Sequence, residues 1–213
     1  MTRLIAGKAG GRRLRVPPGQ GTRPTSDRAR EGLFASLVSE FGDLSHLRVL
    51  DLYAGSGAVG LEALSRGAAR VLLVESDARA ASVIKANIEA VALPGAAVAA
   101  GRVERLLGRP PEGGRYDLVF ADPPYVVTGE AVARVLTQLK NGWLCEGALV
   151  VVERATRSGP LDWPPGFSAG KSRRYGEATF WYGWYGSGAE ASQAEHPREA
   201  ASGSRLDAPH GGA

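Results

Sequence analysis

The sequence FADPPY, residues 120–125, combines an acid, two prolines and an aromatic ring at the end of an apolar run. Proline lacks the N–H needed for a sheet ladder and forces the preceding residue into an extended conformation, so a strand must end here. Asp122 and the carbonyl of Pro123 can each accept one N–H of an exocyclic amino group, and Tyr125 can stack on a base. We predict that these three residues hold an amino-bearing base and are catalytic, although a turn with a packed tyrosine would use the same residue types.

A glycine-rich loop, DLYAGSGAVG, supplies the second chemical signal. Gly55, Gly57 and Gly60 fit the pattern G-x-G-x-x-G between a predicted strand and a predicted helix, which is typical of a site for a nucleoside-containing cofactor. Glu75 ends the next predicted strand, where a carboxylate accepts hydrogen bonds from ribose hydroxyls. NAD and S-adenosylmethionine both suit such a loop. Asp51 favours S-adenosylmethionine, because a carboxylate attracts its ammonium and sulfonium groups and would repel a pyrophosphate.

Short apolar strands alternate with helical stretches from residue 48 onwards, which predicts an α/β fold with a mostly parallel sheet. We expect strands at 48–53, 70–75, 96–101, 117–121 and 148–153, and helices near 58–66, 77–92, 103–108 and 129–141. The aromatic segment RRYGEATFWYGWYG predicts one or two antiparallel strands at the sheet edge. In such sheets, ligands lie at the carboxyl ends of the strands where the strand order reverses, commonly between the first and the fourth. The glycine loop and FADPPY follow those two strands, so both should border one crevice.

The net positive charge of the chain is concentrated in its N-terminal segment. Residues 1–31 hold eight basic and two acidic side chains, a net charge of +6, whereas the whole chain carries +4. Two short runs around Gly10 and Gly11 predict a β-hairpin with an exposed basic face, which suits attraction to a phosphate backbone. An ordinary solvated surface would carry the same charges. We predict nucleic-acid contacts for seven basic residues: Arg3, Lys8, Arg12, Arg13, Arg15, Arg23 and Arg30.

A proline- and glycine-rich linker, PPGQGTRP, follows this basic segment. Thr25 or Ser26 should then cap a helix that ends near Gly42. Residues 187–213 contain no aromatic residue and one large aliphatic residue, Leu206, so we expect a disordered tail. The expected organisation is a basic hairpin at 1–20, a methyltransferase domain at 21–186 and the tail at 187–213.

Composition argues against several classes of protein. No run approaches the roughly 20 consecutive apolar residues of a membrane helix, and the N-terminus lacks the apolar block of a signal peptide, so we expect a cytoplasmic location. Cys145 is the single cysteine, and we expect it to be a core residue before the fifth strand rather than a nucleophile. Two of the three histidines, His196 and His210, lie in the tail, which disfavours a histidine-based site. We expect no metal ion.

Taken together, the motifs resemble the RsmD-type methyltransferases, which use S-adenosylmethionine to methylate a guanine N2 of small-subunit (16S) ribosomal RNA. The resemblance extends from Arg3 to about Tyr185. It rests on RPTSDRAREGLF (23–34), DLYAGSGAVGLEALSRGA (51–68), VESD (74–77), ADPPY (121–125) and NGWL (141–144). It implies a Rossmann-like class I methyltransferase, with a seven-stranded, mostly parallel sheet, antiparallel last strands and an N-terminal β-hairpin.

The resemblance also implies roles for individual residues. Contacts with S-adenosylmethionine are implied for Asp51, Ala54, Gly55, Gly57 and Glu75. The guanine amino group would be held by Asp122, Pro123 and Tyr125. The N-terminal signature, near the methionine end of the cofactor, includes Arg23, Thr25 and Arg30. After the third strand the family often has a small polar or acidic residue for the adenine amino group, whereas this chain has GRV, so we expect backbone contacts at Arg102 or Val103.

Three alternatives stay open. An enzyme with the same chemistry could act on adenine N6 or cytosine N4 of DNA or of another RNA, but we find no separate region large enough to recognise a DNA sequence. An NAD-dependent oxidoreductase would use the same loop, yet the chain lacks an evident catalytic constellation for it. A non-catalytic RNA-binding module is the third. We expect a monomer that acts on ribosomal RNA, either bare or within an assembled small subunit, and that does not bind membranes.

Overall fold

The computed structural model describes residues 2–18 and 27–186. Its strands are β1 Thr2–Arg3, β2 Arg13–Leu14, β3 Arg48–Leu52, β4 Arg70–Glu75, β5 Ala96–Ala100, β6 Tyr116–Ala121, β7 Leu144–Ala155, β8 Phe167–Tyr175 and β9 Ala178–Tyr185. Its helices are α1 Asp27–Phe41, α2 Ala58–Ser65, α3 Ala78–Val91, α4 Val103–Leu107 and α5 Gly129–Leu139, with a 3-10 turn at Thr156–Ser158. The predicted cap at Thr25 or Ser26, the predicted contact of Arg23 and the predicted tail at 187–213 lie outside the described residues.

Seven strands form one sheet in the order β5-β4-β3-β6-β7-β9-β8. The first five of these run parallel, whereas β9 is antiparallel to both β7 and β8. The strand order reverses between β3 and β6, where Leu52 pairs with Ala121. This arrangement confirms the predicted α/β sheet with antiparallel last strands. It also places the glycine loop and FADPPY at the ends of neighbouring strands, as predicted.

The central strands are buried on both faces, which explains their nearly continuous apolar sequences. On one face, a core that includes Leu33, Phe34 and Phe120 joins the sheet to α1, α2, α3 and the N-terminal hairpin. On the other face, Val119, Val132 and other aliphatic residues join the sheet to α4 and α5. None of the helices in the described residues is long and apolar enough to cross a membrane.

The largest difference from the predicted elements is in β7. The sequence predicts a strand at 148–153, but β7 spans Leu144–Ala155 and contains Cys145. The prediction that Cys145 is a core residue before this strand is therefore wrong, because its side chain is half-buried within the strand. Burial, together with a hydrogen bond and charge from Asp117, raises the pKa of Cys145 to about 11. The thiol consequently stays protonated near neutral pH, which disfavours a nucleophilic role.

The N-terminal hairpin packs firmly on α2. β1 and β2 pair antiparallel, so the predicted hairpin is confirmed. The carboxylate of Glu62 in α2 accepts hydrogen bonds from the backbone N–H groups of Ile5 at 2.7 Å and Ala6 at 3.0 Å. Near the hairpin tip, the backbone N–H of Lys8 donates a hydrogen bond to the backbone carbonyl of Ser65 at 2.7 Å. The hairpin backbone is thus held by the helix that follows the glycine loop.

Arg30 completes this contact from α1 and is not exposed. Its side chain is 0% accessible, and its Nε lies 3.8 Å from the carboxylate of Glu62, which is also fully buried. Asp27 accepts from Arg30 Nη2 at 3.0 Å, and Thr2 accepts from Nη1 at 3.3 Å. The prediction that Arg30 contacts nucleic acid is therefore wrong, since its guanidinium joins α1 to the hairpin and to α2.

We expect Glu62→Ala to destabilise the fold by about 3–5 kcal/mol, because it leaves the buried charge of Arg30 without its main counter-charge. It also removes the acceptor for two hairpin N–H groups. Urea denaturation would measure the free energy of unfolding. Glu89→Ala is the control, because Glu89 is exposed on α3 and its loss should change stability by less than about 0.5 kcal/mol. Equal losses for the two variants would contradict this role of Glu62.

Candidate active site

The glycine loop, residues 53–57, leaves β3 and turns sharply into α2. Gly57 has a φ of 78°, in the left-handed region that favours glycine. A Cβ at Gly57 would lie 2.9 Å from Leu73, so the loop packs directly on β4. Gly57 N–H donates to Ala54 at 2.7 Å, which closes the turn. By contrast, a Cβ built on Gly55 meets nothing within 4 Å, so the loop backbone at Gly55 faces open space.

Glu75 fixes the position of this loop. It ends β4 and is 8% exposed. One carboxylate oxygen accepts the N–H of Gly55 at 2.9 Å, and the other accepts the N–H of Asp77 at 2.8 Å. Because a carboxylate has about four lone-pair positions, these two bonds leave capacity for further donors. The predicted contact between Glu75 and a ribose stays a prediction.

Asp51 lies beneath the glycine loop and is 2% exposed. Its Oδ2 accepts the N–H of Gly60 at 2.9 Å, so it holds the first turn of α2. Burial raises the pKa of Asp51 to about 7, and the charge of Glu75 adds to this effect, whereas the hydrogen bond from Gly60 opposes it. A carboxyl group in this position gains strongly from any nearby positive charge.

The segment after β6 presents the predicted acceptor residues. Asp122 is half-buried, and its backbone N–H donates to Leu52 of β3 at 3.3 Å. Pro123 is buried, while the side chains of Tyr125 and Val126 are 64% and 88% exposed. The segment therefore begins anchored beside β3 and then turns outward, with the Tyr125 ring at the surface.

A second carboxyl group lies beside Asp122. Ala121 pairs with Val152 in the sheet, so Glu153 of β7 is the lateral neighbour of Asp122, and it is 7% exposed. Burial raises the pKa of Asp122 well above its usual range, and the charges of Glu153 and Asp51 raise it further. Sequence reasoning missed Glu153, although an acid that ends the apolar run ALVVVE at the carboxyl edge was a usable signal.

A cavity of about 200 Å³ opens beside the turn after β5. Arg102 and Val103 flank this turn, and the N–H of Gly101 donates to the carbonyl of Glu75 at 2.8 Å. The cavity is lined by Val74, Ala99, Ala100, Gly101, Arg102, Arg105, Leu106 and Arg109. Of the two residues predicted to contact adenine, only Arg102 lines this cavity, and the adenine contacts stay a prediction.

Asn87 links the hairpin to the glycine loop and was also missed. Its side chain is 0% exposed. Its Oδ1 accepts the N–H of Arg15 at 2.8 Å, and its Nδ2 donates to the carbonyls of Arg15 at 3.0 Å and Ser56 at 2.9 Å. Asn87 follows Ala80 and Ile84 on the buried face of α3, so an amide within an apolar stripe was the available signal.

The predicted RNA-binding residues of the hairpin separate into two groups. Arg3 pairs directly with Arg13, and both are exposed together with Arg15, so these three form one basic face. Lys8 is also exposed but lies at the hairpin tip. Arg12 donates to the carbonyls of Ala90 and Val91 at the carboxyl end of α3, at 3.1 Å for Val91. Arg12 therefore has a contact within the protein that explains its presence.

Within the described residues, no group of three or more His, Cys, Asp or Glu side chains is arranged to hold a metal ion. The sheet, the glycine loop and the acidic strand end together define a Rossmann-like class I methyltransferase fold. A solved structure of magnesium protoporphyrin IX methyltransferase from Synechocystis, with bound S-adenosylmethionine, has this fold too, with a TM-score of 0.58 at 16% identity.

Closer relatives define the family. The family model described as "Conserved hypothetical protein 95" matches residues 2–184. Ribosomal RNA small subunit methyltransferase D of Escherichia coli is 35% identical over 178 residues, which cover 84% of this chain and 87% of the relative. The solved putative methyltransferase yhhF from Escherichia coli is 31% identical, with a TM-score of 0.75 over 86% of this chain and 97% of that one. The chain belongs to this family, the RsmD-type methyltransferases.

The raised pKa of Asp51 predicts a pH-dependent stability. Because the folded pKa of about 7 exceeds the ordinary 3.8, Asp51 contributes stability at low pH that is lost as pH rises towards 7. A shift of about three units corresponds to at most about 4 kcal/mol. We expect Asp51→Asn, which keeps an acceptor for Gly60, to flatten the fall in unfolding free energy between about pH 4 and about pH 8.

Chemical denaturation across this pH range measures the effect. Asp162→Asn is the matched control, because Asp162 is exposed in the loop before β8 and its replacement should leave the profile unchanged. Parallel profiles for the wild type and Asp51→Asn would show that the Asp51 carboxyl is not the group that titrates.

Proposed function

We propose that the protein transfers a methyl group from S-adenosylmethionine to the exocyclic N2 of a guanine in small-subunit ribosomal RNA. The observation that carries this proposal is the pairing of β3 with β6, which brings a glycine loop and Asp-Pro-Pro-Tyr to one edge of the sheet. The relative named ribosomal RNA small subunit methyltransferase D supports the choice of RNA. The basic hairpin face adds a surface that suits phosphates.

The residues at the glycine loop fit S-adenosylmethionine. The open space above Gly55 admits a ligand against the loop backbone, and Glu75 stands at the end of β4, where ribose hydroxyls would donate to it. Burial and the charge of Glu75 raise the pKa of Asp51. The ammonium and sulfonium charges of the cofactor would therefore stabilise its carboxylate form. The turn at Arg102 and Val103 would contact the adenine. When bound, S-adenosylmethionine supplies an electrophilic methyl group.

On the acceptor side, the protein orients the guanine. Asp122 and the carbonyl of Pro123 would accept the two N–H groups of the amino group, so that its nitrogen lone pair points at the methyl carbon. Tyr125 would stack on the guanine plane at the surface of the site. The C–N bond forms as the C–S bond breaks, and the nitrogen then loses one proton. The raised pKa of Asp122 suits it to take up that proton.

The proposal extends to the organisation of the chain. Arg3, Arg13 and Arg15 would contact phosphates of the RNA from the hairpin, which packs on the methyltransferase domain. The same acceptor geometry also fits adenine N6 and cytosine N4, so the identity of the methylated base is an outcome of the test. Bare ribosomal RNA and assembled small subunits both need to be offered.

We expect Asp122→Ala to lower kcat at least about 100-fold, since it removes one of two groups that orient the amino group and the acceptor of its proton. Transfer of labelled methyl groups to ribosomal RNA or small subunits measures this, and calorimetry measures cofactor affinity. Cofactor affinity should change less than about threefold, because Asp122 lies on the acceptor side. Glu112→Ala, at an exposed loop position, is the control. An unlabelled RNA under every condition, or an active Asp122→Ala variant, would contradict the proposal.

A further inference from the structure

The edge strand β8 ends at the same edge of the sheet as the proposed acceptor site. β8 and β7 are both antiparallel to β9, so β8 runs in the same direction as β6 and β7. Glu153 pairs with Phe180, and Phe180 pairs with Arg173. Since Glu153 neighbours Asp122, one row crosses the carboxyl edge from Asp122 to Arg173. Three strand spacings of about 4.8 Å place the two backbones roughly 14 Å apart.

Four arginines lie at this end of the sheet. Arg157, Arg173 and Arg174 are exposed, and Arg154 is half-buried. Side chains alternate along a strand, so Arg173 lies on the face of Asp122 and Glu153, while Arg154 and Arg174 share the other face. We call Arg154, Arg157, Arg173 and Arg174 the β8 basic surface. In the same region, Lys171 already pairs with Glu40, so it is not part of this surface.

Arg154 lies near the segment that contains Tyr125, and Arg174 contacts the turn between β8 and β9. A Cβ at Gly129 would lie 3.4 Å from Nη1 of Arg154, which places this guanidinium over the start of α5, just after the Tyr125 segment. Arg174 Nε donates to the carbonyl of Gly176 at 2.9 Å, so it is oriented by the turn between β8 and β9. Glu177 is the acid within this turn. Three of the four arginines are exposed, whereas Glu153, the acid in the row of Arg173, is buried, so the exposed charge at this corner of the sheet is mainly positive.

The position of the β8 basic surface complements that of the hairpin. The hairpin is joined through Asn87 to α3, which packs against β4 and β5, on the far side of the glycine loop from β8. A base that enters the acceptor site belongs to a polynucleotide that continues in both directions. The hairpin offers arginines to the chain on one side only. The β8 basic surface offers guanidinium groups on the other side, and guanidinium binds phosphate oxygens in a bidentate geometry.

We propose that the β8 basic surface binds the RNA backbone on the side of the target base opposite to the hairpin. This inference rests on the proposed RNA substrate. It assigns two separate phosphate-binding surfaces to the protein, with the acceptor site between them.

The test compares three double variants of the full chain in RNA-binding titrations at several salt concentrations. Arg173→Gln with Arg174→Gln removes two charges from the β8 basic surface. Arg13→Gln with Arg15→Gln removes two from the hairpin. Lys85→Gln with Arg134→Gln is the matched control, because both residues are exposed on helices away from the carboxyl edge. Each pair of substitutions lowers the net charge by two. A difference in RNA affinity between the variants therefore depends on where the lost charges lie.

We expect the β8 and hairpin variants each to lower the slope of log affinity against log salt by about 1.4–1.8, the value for two lost phosphate contacts. Affinity at moderate salt should fall about tenfold in each, and the control should stay within about twofold of the wild type. Cofactor affinity, and kcat at saturating RNA, should stay close to wild-type values in the β8 variant, because its arginines do not touch the reacting groups.

An unchanged slope and affinity in the β8 variant, with a weakened hairpin variant, would overturn this inference and leave the proposed function intact. A β8 variant that binds bare RNA normally but fails on assembled subunits would also overturn it, because the partner would then be a ribosomal protein. A wild type that binds RNA with the expected β8 effect but methylates nothing would instead overturn the proposed function alone.

Discussion

The parallel pairing of β3 with β6 is the constraint on which the rest of the site depends. Each strand ends in one of the two sequence motifs, so this pairing sets the position of the glycine loop relative to the Asp-Pro-Pro-Tyr segment. The hydrogen bond from Asp122 N–H to Leu52 shows that this pairing continues to the last residue before the prolines. The strand order reverses at this pair, which is where ligands lie in open α/β sheets, and the prolines end β6 at this edge.

Burial of carboxyl groups at this edge has a chemical consequence. Asp51, Asp122 and Glu153 face the same side of the sheet, and each is excluded from much of the solvent. Their mutual repulsion raises the pKa of Asp122 beyond what burial alone would do. A nearby positive charge would relieve this repulsion and favour the charged forms of these carboxyl groups.

Buried polar contacts fix the hairpin relative to the crevice. Glu62 holds Ile5 and Ala6 after the first strand of the hairpin, and Asn87 holds Arg15 after its second strand while also contacting the glycine loop. A displacement of the hairpin would therefore leave buried groups unsatisfied, which is costly. The basic face of the hairpin consequently has a defined orientation towards the site, in contrast to a charged segment tethered by a flexible linker.

The sequence predicted strands β3, β4, β5 and β6 to within one residue, because each is a short, mainly apolar run between predicted helices or loops. It predicted the glycine loop and the acceptor segment, because both depend on short local motifs. It could not predict the burial of Arg30, since its counter-charge, Glu62, is distant along the chain. A count of basic residues does not show which of them are paired with an acid. Glu153 and the β8 basic surface were not predicted, for a similar reason. Their positions relative to Asp122 depend on how strands β6, β7, β9 and β8 pair side by side.

The account depends most directly on which atom receives the methyl group. Small-subunit ribosomal RNA, bare and assembled, would be incubated with the protein and S-adenosylmethionine, digested to nucleosides and analysed by mass spectrometry against synthetic standards. We predict one modified nucleoside, N2-methylguanosine. Methylation of adenine N6, cytosine N4 or a ring carbon, or no methylated nucleoside in either substrate, would contradict the account.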